Sequence, residues 1–185
     1  MLSESVFLLL LLIGAGAFVG YFALPKYRLK QLLNQPFPIE FKQILEHKLP
    51  VYPQLSAEQQ QNLHQHIVHF LFSKRFVGCN GLVITDEIRV VIAAEACLLI
   101  LNRPSSCYQG LKWIYVYPSV FVAQREERNE YGLVSTKRKH LLGESWQNGK
   151  VILAWDNVES GMINFHDGQN VVLHEFAHQL DQESG

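Results

Sequence analysis

Cysteine is scarce. Only Cys79, Cys97 and Cys107 occur in 185 residues, and no Cys-x-x-Cys is present. Three cysteines cannot all pair, which argues against a disulfide framework or a thiolate metal site and fits reduced thiols in a reducing compartment. Neither sign of charge dominates, with 16 Lys and Arg against 17 Asp and Glu and a formal net charge of −1. The balance gives no case for a nucleic-acid partner. Internal repeats and low-complexity segments are also lacking. What is left is enough chain for a membrane segment and one compact domain with a sizeable core.

That membrane segment is the first feature present. Val6 to Leu24 is an apolar run of 19 residues without a charge. At 1.5 Å per residue it reaches roughly 28 Å, about one hydrocarbon thickness. Only Glu4 is charged ahead of it, so the basic leader of a cleaved signal peptide is missing. Lys26, Arg28 and Lys30 follow the run, and the positive-inside rule then puts the C-terminal domain in the cytoplasm. Residues 1–25 are expected to be an uncleaved single-span anchor in the inner (cytoplasmic) membrane. Pro36, Pro38, Pro50 and Pro53 mark residues 26–55 as a juxtamembrane linker, and residues 56–185 as the domain.

The domain opens with Ser56 and Gln59 in capping-box spacing, followed by Leu63, Ile67, Phe70 and Leu71 at helical spacing to about Arg75. His64, His66 and His69 in this helix read as surface or boundary residues, because only His66 and His69 share a face and no acid accompanies them. Gly78-Cys79-Asn80-Gly81 signals a turn. Thr85 then caps a helix from Asp86 to Leu101, apolar nearly all round and stopped before Pro104. Its Arg89 and Glu95, and its short length, argue against a second membrane span. Trp113–Tyr117, a run starting at Val120, and Val151–Trp155 carry strand character. Residues 124–139 suggest a charged protruding hairpin or loop around Gly132. Asp156 is placed to cap a helical turn, and Asp167 or Asn170 to cap the next helix. The order of helices and a small sheet gives an α+β domain.

The chemistry is concentrated in Val171-Val172-Leu173-His174-Glu175-Phe176-Ala177-His178-Gln179-Leu180-Asp181. On a helix His174 and His178 lie side by side on one face. Two such imidazoles can bind one Zn²⁺, and Glu175 can take a proton from water activated there. A catalytic zinc needs a third protein ligand. The metzincin extension would need Gly at 181 and His at 184, where this chain has Asp181 and Ser184. Asp181 lies about 10 Å along the helix from His174, too far for the same ion, and fits better as a hydrogen-bond partner of His178. Glu183 points the wrong way round the helix. His166 has no spacing that makes it a ligand.

Gly78 to Glu87, Ile92 to Leu99, Gly143-Glu144-Ser145-Trp146 and Asn170 to Asp181 together resemble the MtfA family (Mlc titration factor A) over about residues 56–185. The resemblance implies a zinc-dependent, aminopeptidase-like enzyme with a zincin-like fold similar to the catalytic domain of anthrax lethal factor. It implies that His174 and His178 are zinc ligands, that Glu175 is the catalytic base, and that the substrate is a peptide or protein. It also implies a transcriptional repressor of the Mlc type as partner, and so a link to sugar uptake. The best-known members are soluble, whereas this chain begins with an anchor. The family's third ligand is a glutamate on a later helix, so the expectation is a C-terminally short domain. The alternative expectation is a non-catalytic, membrane-tethered module that sequesters a transcriptional regulator.

Overall fold

The computed structural model describes residues 4–103, 108–119, 122–128, 134–140, 149–163 and 170–184. Pro104, Cys107, Val120, Phe121, Gly132, the Gly143–Trp146 run, His166 and Asp167 lie outside the described residues. The chain divides into two compact units, Met1–Pro36 and Phe37–Gly185.

The first unit is helix α1, Glu4–Leu33. Leu9–Leu33 is long and apolar enough to cross a membrane. Leu9 to Ile13, Phe18, Val19, Tyr21 and Phe22 are all exposed. The helix runs on through Pro25 for two more turns, so the basic residues Lys26, Arg28 and Lys30 are helical rather than in a flexible connector.

The second unit begins earlier than the sequence suggests. Pro38, with extended backbone angles, starts α2, Ile39–Lys48, and a 3₁₀ turn follows at Tyr52–Gln54. Residues 26–55, expected as linker, are largely helical in the structure. Leu45, Leu49 and Tyr52 are buried with the core, which is why this stretch is ordered despite its prolines.

Helix α3, Ala57–Ser73, starts with the capping box formed by Ser56 and Gln59, and buries Leu63, Ile67 and Phe70. Strand β1, Arg75–Gly78, follows. The Cys79–Leu82 turn then closes through the Leu82 N–H on the Cys79 carbonyl, with Asn80 and Gly81 at positive φ. Helix α4, Asp86–Leu98, is capped by Thr85 Oγ1 on the Ile88 N–H and is buried from Val90 to Cys97. Helix α4 is the crossover to β2, Trp113–Tyr117, which pairs parallel with β1 in the register Arg75↔Trp113 to Gly78↔Val116. Strand β5, Lys150–Ala154, pairs parallel with the other side of β2, giving the order β1-β2-β5. Between β2 and β5 the chain forms an antiparallel ribbon of β3, Val122–Arg128, and β4, Val134–His140, in the charged stretch expected to be a hairpin. Helices α5, Trp155–Ile163, and α6, Val171–Ser184, complete the unit. The mixed helix-and-sheet class is as expected.

His64 and His66 on α3 serve the packing. His64 stacks on Phe37 at 3.9 Å between ring centroids and hydrogen-bonds the Tyr52 hydroxyl at 2.8 Å. His66 Nε2 meets the Ile100 and Arg103 carbonyls at 3.1 and 3.0 Å, closing the C-terminal end of α4. Cys97 is buried and Cys79 half-buried, and neither takes part in a disulfide.

Candidate metal centre

Helix α6 starts at Asn170. Its Oδ1 accepts the Leu173 N–H at 2.9 Å, and its carbonyl accepts the His174 N–H at 3.0 Å. One face of the helix is core. Val172 and Phe176 are fully buried, and the Phe176 ring lies 5.7 Å from that of Phe70 and 5.2 Å from that of Tyr108. The opposite face carries His174, His178 and Asp181, all exposed.

The far end of α6 is also tied down. Glu183 accepts the Tyr108 N–H at 2.8 Å and the Gly110 N–H at 3.3 Å, so its carboxylate is engaged away from the histidines, as its position on the helix implies. From the other side, the buried Lys74 ammonium donates to the carbonyls of Tyr108 and Leu111 at 2.6 and 2.9 Å. Tyr108 has φ 64, unusual for a residue with a side chain, and these contacts hold it there.

His174 and His178 meet with their ring planes at 85° and their Nε2 atoms 3.2 Å apart. Two nitrogens each about 2.1 Å from one tetrahedral zinc lie about 3.4 Å apart. At 3.2 Å the rings can share a proton or share a cation, so the pair fits as two ligands of one ion. Glu175, between them in sequence, turns inward and is only 6% exposed. Burial raises its carboxyl from 4.5 to about 7, where it can both take and give a proton near neutral pH. Among the described residues, no group of three His, Cys, Asp or Glu side chains converges as a metal site.

Sequence reasoning missed two residues that hold this helix, Glu183 and Glu95. Glu95 on α4 is fully buried and accepts a hydrogen bond from Asn170 Nδ2. The signal was there: the one acid inside the apolar run Val90–Leu101 needs a buried partner. Its partner, 75 residues away, was not visible.

Comparison with known proteins adds a family to this geometry. The profile of the glucose-regulated metallo-peptidase M90 family matches residues 24–185. An uncharacterized protein of Synechocystis is 41% identical over 183 residues, covering 98% of this chain and 66% of that protein. Mlc titration factor A of Klebsiella pneumoniae is 34% identical over 137 residues, covering 74% of this chain and 51% of that protein. The same-named protein of Serratia proteamaculans is 32% identical over 137 residues, with 74% and 52% covered. The chain thus spans between about half and two thirds of the length of these relatives.

Proposed function

The chain belongs to the glucose-regulated metallo-peptidase M90 family, with Mlc titration factor A among its relatives, and from that premise we propose a zinc-dependent peptidase centred on α6. His174 and His178 hold the metal through the Nε2 atoms that face each other, and the domain is zincin-like. When bound, zinc supplies a Lewis acid that polarises a peptide carbonyl and acidifies water. Glu175 takes the proton from the attacking water and returns it to the leaving amine, the work suited to a buried carboxyl near pH 7. The helix face opposite Phe176 leaves both imidazoles open to a peptide. The observation that carries this reading is the 3.2 Å approach of the two Nε2 atoms beside a buried glutamate.

Helix α1 is a single span of the inner membrane, and Lys26, Arg28 and Lys30 at its C-terminal end put the residues after it on the cytoplasmic side. The name of these relatives points to a repressor of the Mlc type as partner, and so to control of sugar uptake. A second reading, a membrane-tethered module that sequesters such a regulator without cleaving it, is favoured by the lack of a third converging ligand among the described residues.

The test is zinc stoichiometry and peptidase activity of the full chain in detergent, beside His174→Ala and Glu175→Gln. Zinc near one per chain that drops in His174→Ala, with cleavage lost in Glu175→Gln, supports the peptidase. Zinc content unmoved by His174→Ala defeats the metal assignment. Tight zinc with no cleavage by the parent chain favours the binding module.

A further inference from the structure

Glu95 has no task in the proposed reaction, yet it occupies the middle of the most buried helix in the domain. Its Oε1 accepts from Asn170 Nδ2 at 2.5 Å, while Oε2 is buried and has no hydrogen-bond partner among the described residues. A carboxyl enclosed with one oxygen unsatisfied is costly, and packing alone would be better served by an apolar side chain.

What that carboxyl accomplishes is visible at Asn170. An amide has one donor end and one acceptor end. Because Glu95 draws the donor end, the acceptor Oδ1 is turned to the Leu173 N–H. The opposite flip would set N–H against N–H and uncap the helix. Asn170 is also seated against α5, where a Cβ on Gly161 would come within 3.3 Å of its Cα, Cγ and Nδ2. The residue therefore has a fitted slot, and Glu95 decides which way round its amide sits. His174 belongs to the first turn that this cap organises, whereas His178 lies one turn further on. Fraying of that turn would move one imidazole and leave the other, changing the Nε2 separation.

We propose that Glu95 is a positioning residue for the His174–His178 pair, acting through the Asn170 amide that starts their helix. The assignment rests on the metal reading of that pair, but the amide clamp can be tested apart from it. Burial raises the Glu95 carboxyl to about 7 even against the hydrogen bond from Asn170, so a neutral glutamine should replace it.

The experiment uses the full chain in detergent, with Glu95→Gln, Glu95→Met, Asn170→Ala and the double variant of the last two. Two quantities are read: hydrogen exchange at the Leu173 amide, and affinity for Zn²⁺ alone by chelator competition. Glu95→Met should expose the Leu173 amide and weaken zinc binding about five- to tenfold, the scale of losing a helix cap. Glu95→Gln should stay within about twofold of the parent, since its carbonyl still accepts from the amide. The double variant should be no worse than Asn170→Ala, because the two residues act in series. Additive losses in the double variant, or Glu95→Gln as damaging as Glu95→Met, would overturn the proposal. So would unchanged Leu173 protection in Glu95→Met. Should Glu95→Met fail to fold, Glu95→Asp, one methylene too short to reach the amide, carries the same expectation. If the parent chain binds no zinc, the metal reading falls while Leu173 exchange still decides the clamp.

Discussion

Lys74 offers a quantitative check on the packing beneath α6. It is 9% exposed, has two carbonyls for partners, and sits one peptide segment away from Glu183 rather than in direct contact with it. Burial is the main cause that lowers its amine from 10.5 to about 8, only partly offset by the field of Glu183. Between those values the unfolded chain binds a proton that the folded chain does not, so stability rises with pH. The penalty is complete below about pH 8 and is relieved as pH approaches 10.5. At about 1.4 kcal/mol per pH unit the gap is worth at most about 3 kcal/mol, and residual exposure brings it nearer 2. Lys74→Met cannot titrate, though it leaves the Tyr108 and Leu111 carbonyls without this donor. The informative quantity is therefore the difference between parent and variant as pH changes, in which common tyrosine and lysine titrations cancel. Thermal melts followed by circular dichroism from pH 7.5 to 10.5 should show the parent gaining on Lys74→Met by about 4–8 °C, at roughly 2–4 °C per kcal/mol. Curves that stay parallel within about 1 °C would refute the reasoning, and would mean that the amine is hydrated in the folded chain.

On the acid side the sign reverses. Glu95 rises from 4.5 to about 7, so its contribution is intact below pH 4.5 and is lost as pH climbs to 7; denaturation midpoints across this range should fall in the parent relative to Glu95→Gln. Gly161→Ala puts a methyl against Asn170 and should cost about 1–3 kcal/mol by overpacking, partly returned by helix propensity, as read from denaturant midpoints. Phe176→Ala opens the cluster with Phe70 and Tyr108 and should cost about 3–5 kcal/mol in a thermal melt, whereas Phe176→Leu should cost much less.

The elements legible in the sequence were those specified by neighbouring residues. Ser56 with Gln59, and Thr85 ahead of Asp86, are caps whose partners lie three residues away, and the structure forms both. The His174–His178 pair is likewise local, because one helical turn brings the rings together. Strand β1 was absorbed into the end of α3 because it has only four residues, and its identity comes from Trp113–Val116 far along the chain. Helix α2 was hidden by Pro36 and Pro38, read as linker marks although Pro38 stands at the helix start. Similarly, α5 is a nine-residue helix where a single turn was expected at Asp156. Glu95 and Glu183 were read only by what their immediate surroundings excluded, since each acts on a partner 75 residues away.

That separation has a kinetic meaning. Both ends of α6 are fastened by hydrogen bonds that each close a loop of 75 residues. The logarithmic part of such a closure entropy is about 4 kcal/mol, a cost that the local turns of the chain do not carry. The two imidazoles need no such closure; one nascent helical turn brings them within reach of each other. On the metal reading proposed above, a cation reaching the pair early would meet a helix not yet docked, while one arriving late would meet a helix whose axis is already set.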